Sequence, residues 1–141
     1  MTMKSSRHWN PLPRILPVVA AALVAACSGG GEDGAPSLLV PPPTAVSATV
    51  TLTWAANPDT EVNKAGGGYR VYYSRNSGFQ PGDPGVRMVD VPYAGGAAAP
   101  TTAGLPVDTS GLWYFRVQAY SALNPGGSPL SAPMAVLVPA S

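Results

Sequence analysis

Asp59 and Glu61 stand two residues apart in a stretch rich in Asn, Pro and Gly. Carboxylates so placed suggest calcium binding or acid–base work. Calcium takes about six to eight oxygen ligands, and no D-x-D-x-D-G run supplies them. Glycoside cleavage needs two carboxyls flanking a sugar cleft, and nothing in the sequence marks one. Both residues therefore read as part of a solvated loop. Asp83, Asp90 and Asp108 are dispersed among turns and strand edges, where Asp serves turn chemistry. Gly66, Gly67 and Gly68 lack the following lysine and helix of a phosphate-binding loop, and read instead as a bend into a strand. The remaining reactive groups are single: one histidine, His8, and one cysteine, Cys27.

The context of Cys27 is informative. Residues 1–26 contain Lys4, Arg7 and Arg14 and no acidic residue, and Ile15 to Ala26 is an uncharged apolar run of 12 residues. A helix needs about 20 residues to span a bilayer, and Pro11, Pro13 and Pro17 argue against a buried helix. A basic start, a short apolar run and small residues form the pattern of a cleaved secretory signal peptide. Leu23-Val24-Ala25-Ala26-Cys27 resembles the lipobox of bacterial lipoproteins, with Val24 where Leu is commonest. The resemblance implies cleavage between Ala26 and Cys27, a diacylglycerol thioether on Cys27, and anchoring in the bacterial cell envelope. Two or three acyl chains anchor stably where one is marginal. Ser28, not Asp, follows the cysteine, which by analogy with that family favours the outer membrane.

The expected mature chain, from Cys27 onward, has five basic residues against seven acidic ones, a net charge of −2 where the whole sequence carries +1. That balance does not suit nucleic-acid binding through bulk charge. With no histidine and no second cysteine, the mature chain has no route to disulfides, His/Cys zinc sites or nucleophiles activated by a histidine base. No cofactor and no enzymatic activity are expected.

The elements that must position the rest follow from composition and period. Residues 27–42 read as a lipidated N-terminus and a Gly/Pro-rich tether, with Leu38, Leu39 and Val40 as an apolar exception that either packs as a short edge strand or stays with the tether. Val50–Trp54 alternates apolar residues with threonine, the period of a half-buried strand. Tyr69–Tyr73, Val86–Val91, Thr101–Leu105, Trp113–Tyr120 and Met134–Val138 follow as strands between Gly/Pro turns. No segment has a helical period. The pattern indicates an all-β sandwich or barrel over 43–138, with a short tail at 139–141.

The blocks VTLTW, GYRVYY and WYFRVQAY, followed by GGSPLS, resemble in order and spacing a fibronectin type III domain. The resemblance implies an immunoglobulin-like β-sandwich of about seven strands with no catalytic site. It implies a core of Val50, Leu52, Trp54, Tyr69, Val71, Tyr73, Leu105, Trp113, Phe115, Val117, Ala119 and Val136. In that family the sixth strand usually opens with a tyrosine whose hydroxyl ties the preceding corner to the backbone. Trp113 stands there instead, so either its indole N–H makes the bond or the corner is looser. The family's arrangement also puts the GYRVYY and WYFRVQAY strands side by side. Alternation then gathers Arg70, Tyr72, Tyr114, Arg116, Gln118 and Tyr120 on one outer face. Tyr and Arg are enriched at binding hot spots, although such pairs also stabilise exposed sheets. The resulting expectation is a non-catalytic, lipid-anchored protein presenting a binding or spacer module to a protein partner. A glycan partner stacked on Tyr72, Tyr114 and Tyr120, or a structural role in an envelope complex through an exposed edge strand, are the alternatives.

Overall fold

The computed structural model of the protein describes residues 42–141; the expected signal peptide, Cys27 and the Leu38–Val40 run lie outside the described residues. The described chain is all-β. Its six strands are β1 (Ala45–Thr53), β2 (Gly68–Ser74), β3 (Arg87–Pro92), β4 (Thr102–Thr109), β5 (Gly111–Tyr120) and β6 (Met134–Val138). They form two antiparallel sheets, β1-β4 and β3-β2-β5-β6. Six of the expected strands lie among the described residues, while the edge-strand candidate Leu38–Val40 lies outside them. The first of the six begins earlier than Val50, because Val46 and Ala48 continue the inward alternation, with a bulge between Ala45 and Ala48.

Alternation places the core. Tyr69, Val71 and Tyr73 of β2 and Trp113, Phe115, Val117 and Ala119 of β5 are buried against Leu52, Trp54, Leu105 and Val107 from the other sheet. Tyr73 stacks on Phe115 with ring centroids 5.6 Å apart, and Trp54 meets Tyr69 edge-on at 5.4 Å. The Tyr73 hydroxyl donates to the Pro106 carbonyl, and Arg87 pairs with Asp108. These contacts put β4 across from β2 and β3, which leaves β1 on the β5–β6 side.

Two expected core residues are corrected. Val50 and Val136 are only half-buried, because β1 and β6 are both edge strands and the two-stranded sheet does not fully cover the four-stranded one on that side. Val138, Val62 and Val91 are buried instead. The corner between β4 and β5 is tight: the Trp113 indole N–H donates to the Thr109 carbonyl at 2.8 Å. The other core indole is different, since Trp54 Nε1 is buried with no hydrogen-bond partner. Gly68 is required where β2 begins. Its φ is +153°, and a Cβ there would sit 2.6 Å from the Val91 carbonyl oxygen.

Candidate binding face

The face of the four-stranded sheet turned away from the core carries Arg70 and Tyr72 from β2 and Tyr114, Arg116, Gln118 and Tyr120 from β5. The register sets Arg70 opposite Gln118, Tyr72 opposite Arg116 and Ser74 opposite Tyr114. All five residues expected on a binding face (Arg70, Tyr72, Tyr114, Arg116 and Tyr120) thus share one surface. They are not equally free.

Arg70 lies over the Tyr120 ring, 4.3 Å from its centroid, and donates to the Pro125 carbonyl at 2.9 Å. Tyr120 is only 9% exposed. Burial raises its phenol pKa, with the nearby Asp90 carboxylate adding to the shift and Arg70 opposing it. Arg116 donates to the carbonyls of Ser131 and Phe79, at 2.9 and 3.2 Å, and its guanidinium lies over the Phe79 ring. Both arginines are therefore spent on holding loops. Tyr72 makes a long contact with Gln118 Oε1, 3.4 Å, and Gln118 Nε2 donates to the Ser128 carbonyl.

Phe79 is a residue that sequence reasoning missed. It sits in the loop between β2 and β3, is fully buried, and is not part of the inter-sheet core. A phenylalanine between Gly78 and Gln80 in a Gly/Pro-rich loop was the available signal. Ser128 and Ser131 were also missed as individuals. Each pairs with β5 by two bonds: Ser128 N donates to the Ala119 carbonyl and its Oγ accepts from Ala119 N, while Ser131 does the same at Val117. The three-residue spacing within GGSPLS lets two hydroxyls continue the ladder beyond β6 past Pro129.

Apart from the exposed Asp90 opposite Arg70, the most exposed side chains of the face are apolar. Met88 on β3 is 51% exposed beside Tyr72, and Leu112 and Leu137 pair across β5 and β6 at 41% and 69% exposure. Tyr114, next along that face, is half-buried opposite Ala135.

The carboxylates singled out in the sequence are occupied structurally. Asn57 Oδ1 accepts from Asp59 N, Asp59 Oδ1 accepts from Glu61 N, and Glu61 pairs with Lys64 at 2.7 Å. Asn63 ties the loop down, donating to the Asn57 and Asp59 carbonyls and accepting from Ala99 N. The buried Tyr69 hydroxyl accepts from Asn57 N at 2.6 Å. Burial pushes the Tyr69 phenol pKa up, and the bond from Asn57 opposes this only in part. Among the described residues, no three of His, Cys, Asp and Glu come together as metal ligands.

No family model matches the chain, and no curated protein or solved structure matches it either.

Proposed function

We propose that this chain is a lipid-anchored protein of the bacterial envelope, carried on Cys27, that presents a fibronectin type III-like module for protein binding and performs no catalysis. The strand order supports the type III reading: β1 and β4 correspond to that family's second and fifth strands, facing a sheet in which β2 and β5 are neighbours. The Trp113–Thr109 bond supports it too, since it ties the corner where the family uses a tyrosine.

One observation carries the binding role. On a face whose arginines are already engaged, Met88, Leu112 and Leu137 stand exposed around Tyr72 and Tyr114. Apolar and tyrosine side chains on a rigid sheet are the composition of a protein-contact surface. A photo-crosslinking residue replacing Leu137 in intact cells tests this, with the same replacement at Thr102 on the opposite sheet as control. Adducts with another protein from position 137 and none from position 102 are expected. Equal yields, or none, would overturn the reading.

A further inference from the structure

The loop between β2 and β3 is fastened to the outer face of the four-stranded sheet by one side chain. Residues 75–78 and 80–85 are exposed, whereas Phe79 between them is fully buried. Among the described residues, the hydrogen bonds of this loop stay within it or return to Ser74, where it begins, except for the one from Arg116 to the Phe79 carbonyl. Phe79 lies outside the inter-sheet core, so its burial is not what holds the two sheets together.

The fastening is of a kind that another occupant can replace. The Arg116 guanidinium lies over the Phe79 ring at 5.9 Å and donates to the Phe79 carbonyl at 3.2 Å. Both contacts stand at the long end of their ranges, about 6 Å and 3.2 Å. Gly82 and Gly85 follow at φ +93° and +77°, each with open space where a Cβ would stand. Glycine tolerates the backbone changes that swinging the loop requires, and a segment with one buried anchor opens at low cost in free energy.

The loop itself shows what this socket recognises. An aromatic ring enters under a guanidinium, and the carbonyl of the same residue accepts a charge-assisted hydrogen bond. An exposed aromatic residue of another chain presents the same pair of groups, whereas an aliphatic residue offers the carbonyl alone. Tyr72 stands directly opposite Arg116, and Tyr114 lies two residues along β5 on the same face. The socket is thus continuous with the surface that carries Met88, Leu112 and Leu137.

We propose that Phe79 is the internal occupant of a recognition socket, and that a protein partner binds by replacing it with an aromatic side chain of its own, lifting the loop 75–86. The proposal rests on the reading of this face as a protein-contact surface and names the partner's contacting group. The full chain is titrated with a blocked glycyl-phenylalanyl-glycine peptide while amide exchange of residues 76–85 is followed by mass spectrometry. Exchange should rise about tenfold at saturation. The leucyl peptide should act only at several-fold higher concentration, and the alanyl peptide not at all. Phe79→Ala removes the internal competitor and should bind the phenylalanyl peptide about tenfold more tightly than the wild type; adding Arg116→Ala should cancel that gain. Phe79→Leu, a weaker internal occupant, takes its place if the alanine variant loses the near-ultraviolet dichroism of the folded core, and it too should bind more tightly than the wild type. A loop that merely packs its phenylalanine would show unchanged exchange at every peptide concentration, and that result overturns the proposal. So does a Phe79 variant that binds no more tightly than the wild type. The Leu137 cross-link is read separately: adducts from position 137 without any effect of the peptide overturn the socket and leave the binding role of the face standing.

Discussion

The two core tryptophans separate what a buried indole contributes by packing from what it contributes by bonding. Trp113 gives its N–H to the Thr109 carbonyl, whereas Trp54 buries an N–H without a partner. Phenylalanine at either site loses similar volume, but only Trp113→Phe breaks a bond. Chemical denaturation should therefore find Trp113→Phe more destabilising than Trp54→Phe by about 1 kcal/mol. Equal losses would mean that the corner bond adds nothing net. Tyr69 sets a pH dependence of the same local kind. Its folded pKa is raised above the ordinary 10.0, so the folded state keeps the proton longer than the unfolded state. The contribution is complete below pH 10 and is lost as pH rises through the folded value. Tyr120 acts in the same direction. The melting temperature should fall above pH 10, and less steeply in Tyr69→Phe. An identical slope in the variant would contradict this assignment.

At the scale of elements, β5 is the strand on which the rest depend. It pairs with β2 over Tyr114–Tyr120, with β6 over Gly111–Phe115, and with the Ser128 and Ser131 side chains and backbone beyond. Val117 N donates to a fully enclosed Ser131 hydroxyl, while the Ser128 bond to Ala119 N is more open. Ser131→Ala should cost about 1–3 kcal/mol by stranding a buried donor, and Ser128→Ala less; the reverse order in urea denaturation would contradict this ladder. Arg116→Ala should cost about 2–3 kcal/mol, since it loses two charge-assisted bonds. It should also raise amide exchange in the loop around Phe79, and exchange confined to wild-type rates would show that Arg116 does not hold that loop.

The same elements show what was legible in the sequence and why. β2 and β5 are legible to within a residue or two because aromatic and β-branched residues alternate with polar ones along them, and β6 because it is a short apolar run between Pro133 and Pro139. β4 was foreseen only as far as Leu105, since Gly104 and Pro106 weaken its strand signal and its pairing with β1 carries it on to Thr109. The grouping of Arg70, Tyr72, Tyr114, Arg116 and Tyr120 on one face followed from the period of the two strands together with the side-by-side placement that the fibronectin type III resemblance implies. Their availability did not. Tyr120 is closed off by Arg70 and Pro125, and Arg116 is bound to Phe79 across 37 residues of sequence. Such long-range side-chain bonds leave no periodic trace.

For the whole molecule, the sequence beyond Ala26 holds no histidine and carries a charge of −2, and Asp59 and Glu61 are committed to loop contacts; the proposed role is recognition. Its exposed apolar side chains, Met88, Leu112 and Leu137, stand on one sheet face with the half-buried Tyr72 and Tyr114. Anchoring through Cys27 is what would turn this surface into an envelope function. It is tested most directly by expressing the full chain and its Cys27→Ser variant in a bacterial host fed a labelled fatty acid. The account predicts label on the wild-type chain, its recovery with membranes, and a variant that takes up no label. A Cys27→Ser chain that still partitions with membranes and is processed at the same bond, or a wild-type chain that takes up no label, would contradict it.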